Sequence, residues 1–266
     1  METIPNNIFE MTLQGYAKGF HVSQIATFGL ETCSPDEDIK EVFNRLPSFD
    51  QIPVKKFDRI IGVLERNGKT QEGWVEQHYR SLDDSILASA DEALSTFLLS
   101  MEKPPYYRLV VKGTKIDGIV TRSDILKLPV RLFLFALVTN LELLMIEIIN
   151  KNFNNDDWIN YFDKSKQSKI ISRKRFYQKG RIDPSLIELT YFKEKYEVIG
   201  IFFDLGEEFI SDFEKINNQI RNPISHARDF IKNETELVKF LQVIQLMQEK
   251  IIFLMEMLDY PRSITI

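Results

Sequence analysis

Two textures divide the chain. Up to about residue 127, short apolar runs rich in β-branched residues alternate with short helical ones, and beyond Pro129 apolar residues recur at three- and four-residue spacing over long stretches. In the first part, Ile39, Val42, Phe43 and Leu46 predict one amphipathic helix, opened near Pro35 and Asp36, and Ala90, Ala93, Leu94, Phe97 and Leu98 predict another. The segments 52–54 with 60–64, and 109–111 with 118–120, read as β-hairpins. In the second part, Phe133, Leu137, Leu141, Leu144 and Ile148 line a helix over 130–153, and its width of apolar surface predicts burial on more than one side. Further helices are predicted at 156–166, at 185–196 and from about 207 to residue 226. The last covers 234–258, with Asn233 as its cap. The fold class is therefore α+β, with residues 1–128 as a mixed domain and 129–266 as a bundle of about five helices. Pro129 punctuates the boundary, because proline restrains the residue before it and favours a helix start after it.

The first part repeats itself. ETCSPDEDIKEVFNRL followed by IPVKKFDRIIGVLER matches ILASADEALSTFLLSM followed by YYRLVVKGTKIDGIVTRSD, giving copies at about 22–66 and 80–128. Each copy reads as strand, acidic-capped helix and hairpin, and two such halves bury their sheets against each other because neither encloses a core alone. Residues 70–85 read as the linker between the copies, with His78 as a surface histidine. His21 lies ahead of the first copy.

Charge adds a local feature. Lys and Arg total 34 against 39 Asp and Glu, a net charge of −5, which argues against a surface coated for non-specific nucleic-acid binding. Yet Lys164 to Arg181 holds eight cations and no carboxylate. Within that patch Arg173, Lys174 and Arg175, together with Arg228 further on, are candidate RNA-phosphate contacts. Phe176 and Tyr177 are available for base stacking. A single cysteine, Cys33, suits a reducing, cytoplasmic setting, and the first residues do not read as a signal peptide. The apolar stretch 130–149 carries Arg131, Glu142 and Glu147, so it reads as a buried helix and not a membrane span.

The candidate chemistry lies at RNPISH, residues 221–226, where Arg221, Asn222 and His226 fall within two helical turns. Histidine titrates near neutral pH and serves as base or acid. Arginine keeps its charge and grips phosphate through a bidentate fork. That pair suffices for attack of a ribose 2′-OH on its own phosphodiester, and no His/Cys/carboxylate cluster has metal-ligand spacing, so no cofactor is expected to be required. Asn222 is the third member, orienting His226 or contacting phosphate. Pro223 removes a backbone N–H and is expected to bend the helix there.

The repeat resembles a tandem pair of CBS domains, on the strength of GIVTRSDIL, residues 118–126, where a glycine leads a strand into a threonine and then an aspartate. The resemblance implies an adenine nucleotide such as AMP or ATP in the cleft of the pair, with Thr121 on phosphate and Asp124 on ribose hydroxyls. The first copy departs from this pattern: Glu65 stands where Thr121 does and Gly68 where Asp124 does, so at most one good nucleotide site is expected. The helical part resembles the HEPN family, carried by FEKINNQIRNPISHARDF and by the helix LFALVTNLELLMIEII. That resemblance implies a homodimer that cleaves RNA without metal at a composite site built from Arg221, Asn222 and His226 of two copies.

Together the two resemblances imply a nucleotide-regulated endoribonuclease with the logic of prokaryotic stress or phage-defence toxins, whose partner or antitoxin protein the sequence does not name. The rival reading is a non-catalytic adenine-nucleotide sensor whose helical half dimerises or docks a partner.

Overall fold

The computed structural model of the protein describes residues 19–66, 72–181, 184–225 and 231–259. The chain divides between Val130 and Arg131 into a mixed unit and a helical unit. Among the described residues, every strand belongs to the first.

The first unit holds β1 (Thr27–Phe28), α1 (Ile39–Arg45), β2 (Gln51–Lys56), β3 (Arg59–Glu65), β4 (Arg80–Ser81), β5 (Leu87–Ser89), α2 (Leu94–Ser100), β6 (Tyr107–Lys112) and β7 (Lys115–Thr121). These form one sheet ordered β2-β3-β4 and a second ordered β1-β7-β6-β5. Asp38 caps α1 by accepting from Lys40 N and Glu41 N, so the helix starts two residues later than Asp36 suggests. Ala90 and Ala93 precede α2, because Ala90 N–H is committed to Val111 O in the sheet. Phe57 and Asp58, both at positive φ, close the β2–β3 hairpin.

The two copies interlock. Val22 N donates to Glu92 O and Ser23 N to Ala90 O; in reciprocal fashion Val75 N donates to Glu37 O and Glu76 N to Pro35 O. Likewise Leu94 N donates to Phe20 O and Ile39 N to Gly73 O. The 3-10 turn and short strand that open each copy pack on the other copy: β1 pairs with β7, and β4 with β3. Residues 72–81 are therefore part of the pair and not a linker, and His21 belongs to the first copy. Two-residue strands carry too few positions for an alternation to be read.

Each sheet has its own helix-covered core, the first built on Ile39, Val42, Ile52, Val54 and Leu64. A further cluster joins the sheets: Val63 of β3 meets Leu109 and Ile119 of β6 and β7. Val63 and Ile119 occupy matching positions in the two copies, so the halves bury their sheets against each other through equivalent side chains.

In the helical unit, α3 (Leu128–Asn152) leads to α4 (Lys164–Lys179), α5 (Phe192–Phe202), α6 (Gly206–Ile216), the short α7 (Asn222–Ser225) and α8 (Glu234–Asp259). By length and composition α3 could cross a membrane, but 56% of its apolar window is buried inside the protein. Its Glu142 is paired to Lys195, which is 1% exposed, as suits a core helix. The burial is one-sided, for Leu132, Phe135 and Leu143 remain about half exposed. The helix expected at 156–166 is a 3-10 turn (Asp157–Tyr161) followed by a fresh start at Asp163, which accepts from Lys166 N at 2.9 Å. The basic stretch is thus itself helical. The helix expected at 185–196 is likewise a 3-10 turn (Ile187–Leu189) followed by α5. Asn233 caps α8 as expected, accepting from Glu236 N at 2.9 Å.

Candidate functional site

Strand β7 delivers Thr121 to the start of a five-residue 3-10 turn, Arg122–Leu126, and the turn folds Asp124 back onto it. Asp124 Oδ2 accepts from Thr121 N at 2.6 Å and from Thr121 Oγ1 at 2.9 Å. Asp124 Oδ1 pairs with Lys127 Nζ at 2.7 Å and accepts from Thr27 Oγ1 at 3.4 Å. Lys127 also donates to Ile25 O at 2.6 Å. The carboxylate is 5% exposed. The structure therefore brings Thr121 and Asp124 together, as expected, but the Asp124 oxygens already have protein partners. The expected helix N-terminus is only this short turn. Lys127 is the member that sequence reading missed; its signal was a cation three residues after Asp124, in reach across one turn.

Gly118 earns its place by close approach. A Cβ there would meet Phe28 at 3.0 Å and Thr27 O at 3.2 Å, because β1 crosses over it. Gly62 is its counterpart, with Arg80 O of β4 only 2.2 Å from a Cβ. From these glycines the register places Glu65 opposite Thr121 in the other copy. Glu65 accepts from Tyr107 Oη at 2.5 Å, and burial together with that bond pushes the phenol well above its ordinary pKa. Gly68 lies outside the described residues. An open cleft of about 320 Å³ elsewhere in this unit is lined by Arg45 and Lys55, each already paired, with Glu37 and Asp58.

In the helical unit, α6 runs into a π-helical turn, Asn217–Arg221, in which Asn222 N–H reaches back five residues to Asn217 O. Proline at 223 has no N–H for an ordinary turn and would strike the carbonyl four residues earlier; the widened turn removes that clash. Arg221 Nη1 donates to Asn222 Oδ1 at 3.3 Å, and both side chains are partly exposed. His226 and Arg228 lie outside the described residues, as does the span 226–230.

Helix α4 separates its cations. Arg173 faces inward: Nη2 donates to both Glu194 oxygens at 2.6 and 2.8 Å, and Nη1 to Leu189 O at 2.7 Å. Lys166 is held by Glu197. Arg173 is thus committed to the fold, which corrects its assignment as an RNA contact. Lys174 is half-buried, whereas Lys169, Arg175 and Lys179 are exposed beside Phe176, which is 71% exposed. Composition did not separate these roles, because the inward partner, Glu194, lies 21 residues away. Among the described residues, no group of three or more His, Cys, Asp or Glu side chains is arranged to hold a metal ion.

No protein-family model matches the chain, and no curated protein matches it. Among solved structures, it is similar to an uncharacterized conserved protein from Pyrococcus horikoshii at 16% identity and a TM-score of 0.36, over 46% of this chain and 61% of that one. It is also similar to the CBS domain of a bacterial CNNM/CorC family Mg2+ transporter, at 14% identity and a TM-score of 0.36, over 46% of this chain and 82% of that one. The chain spans less than two thirds of the length of the Pyrococcus protein.

Proposed function

We propose that this protein is an endoribonuclease regulated by an adenine nucleotide. Its first unit is a CBS-type pair that binds the nucleotide at Thr121 and Asp124. Its second is a HEPN-type bundle that cleaves RNA as a homodimer. The observation that supports this most directly is the Arg221–Asn222 contact at 3.3 Å on a widened turn in front of Pro223. It sets a fixed cation and an amide side by side, partly open to solvent, four residues before a histidine.

The chemistry asks little more. The 2′-oxygen attacks phosphorus while His226 takes the hydroxyl proton; the P–O5′ bond breaks, and the departing 5′-oxygen receives a proton from a second acid, the His226 of the other copy. Arg221 holds the charge on the phosphorane. Exposed Lys169, Arg175 and Lys179 of α4, with Phe176 between them, supply phosphate contacts and a stacking surface for unpaired bases. Regulation requires the nucleotide to bind the active and inactive arrangements with different affinity.

Incubating total RNA with the full chain, with Arg221→Ala and with His226→Ala, each with and without AMP or ATP, tests this reading. Cleavage confined to the unaltered protein and changed by nucleotide supports it; identical behaviour of all three proteins removes the catalytic half. A non-catalytic sensor is the second reading, favoured by the intact Thr121–Asp124 arrangement, which does not depend on the helical unit. It is distinguished by nucleotide binding without any effect of Arg221 or His226 on RNA.

A further inference from the structure

We propose that Lys127 is the residue by which the Thr121–Asp124 site tells a phosphorylated adenine nucleotide from a bare nucleoside. The inference rests on reading that site as nucleotide-binding. Asp124 is 5% exposed and both its oxygens have partners, so a ribose hydroxyl can reach it only by replacing one of them. The partners are unequal. Oδ2 is held by the N–H and O–H of Thr121, which close the turn that shapes the site. Oδ1 is held by Lys127, whose side chain is 39% exposed and reaches in on a flexible stem. Lys127 is the partner that gives way.

An ammonium drawn off a buried carboxylate needs another anion close by, since its remaining partners, Ile25 O at 2.6 Å and Thr27 Oγ1 at 3.3 Å, are neutral. A nucleotide brings that anion: its ribose takes Oδ1 and its phosphate takes the released lysine. A nucleoside offers hydroxyls to Asp124 and nothing to Lys127, so it binds against the full cost of breaking the ion pair. Lys127 thus acts as a latch that only a phosphorylated ligand releases. Its test is a ratio of affinities and not a single affinity.

Calorimetry of the full chain with AMP and with adenosine, repeated on Lys127→Met and Lys127→Arg, reads that ratio directly. The native protein should prefer AMP by about tenfold or more, the scale of one hydrogen bond to a charged group. Lys127→Met should bind adenosine more tightly and AMP less tightly than the native protein, bringing the two affinities together. Lys127→Arg, which keeps the cation, should retain the preference and shows that the site still folds. An AMP preference that persists in Lys127→Met overturns the latch while leaving the nucleotide site standing. Absence of binding of both ligands to the native protein and to Lys127→Met overturns the nucleotide site and the latch together.

Discussion

Arg173 grips Glu194 through both carboxylate oxygens, at 2.6 and 2.8 Å, and lays its guanidinium over the Tyr191 ring at 4.2 Å. Glu194 in turn accepts from Tyr191 N at 2.7 Å, so one ion pair ties α4 to the first turn of α5. Removing the cation strands a carboxylate whose side chain is 8% exposed. Arg173→Ala is expected to cost about 3 kcal/mol in urea unfolding, whereas alanine at Lys169, Arg175 or Lys179 should change stability by less than about 0.5 kcal/mol. Equal effects at all four positions would contradict the inward assignment of Arg173.

Gly62 and Gly118 occupy matching places but differ in tolerance. A methyl group at Gly62 meets a backbone oxygen at 2.2 Å, which cannot move without pulling β4 away, while at Gly118 it meets the Phe28 ring at 3.0 Å, which can tilt. Gly62→Ala should lower stability by about 3 kcal/mol and Gly118→Ala by about 1 kcal/mol or less. Thermal unfolding of the two variants side by side decides the order.

The Glu142–Lys195 pair, 2.8 Å long, should respond unequally to loss of either partner. The Lys195 side chain is 1% exposed and keeps only Thr190 O at 2.7 Å once Glu142 is gone, whereas Glu142, 31% exposed, can turn to water. Glu142→Ala should therefore cost about 3 kcal/mol or more, and Lys195→Met, which replaces the stem with an apolar one, distinctly less. The reverse order in chemical denaturation would show that Lys195 is not charged and buried in the folded state.

Burial pushes the Asp212 carboxyl up, but Lys250 and Lys215, each at 2.9 Å, outweigh it and hold the carboxyl below its usual range. The unfolded chain then binds the proton more readily than the folded one, so stability rises with pH. The contribution is complete above about pH 4, the unfolded value, and is lost as pH falls through the lower folded value. Unfolding free energies measured between neutral and strongly acidic pH should fall off less steeply in Asp212→Asn, and an unchanged slope would argue against this pairing.

Tyr196 is fully buried among Phe192 and Phe213, and its hydroxyl has no hydrogen-bond partner. Burial, with Glu214 and Glu197 nearby, pushes the phenol up to about 12. Tyr196→Phe removes an unsatisfied polar group without leaving a cavity and should raise stability by about 1 kcal/mol. A loss of stability would reveal a partner for the hydroxyl.

Long elements were legible because periodicity accumulates along them. The stripe Phe209, Phe213, Ile216 and Ile220, all buried, marked α6 and its continuation, and Asn233 marked the start of α8. The hairpins were legible from β-branched runs, and the repeat from two copies of one pattern. The opening turn and strand of each copy were not legible. Their hydrogen bonds run to the other copy, as from Val22 N to Glu92 O, and nothing local announces such a partner.

The candidate sites divide in the same way. Residue type and spacing by themselves nominated Thr121 with Asp124, and Arg221 with Asn222, because each pair lies within one turn of chain. Backbone connectivity alone keeps such neighbours close. Whether a charged side chain faces solvent or a buried partner depends on which elements pack against it. That is why the tertiary structure alone decided that Arg173 serves Glu194, that Lys195 serves Glu142, and that Lys127 already occupies the carboxylate of Asp124.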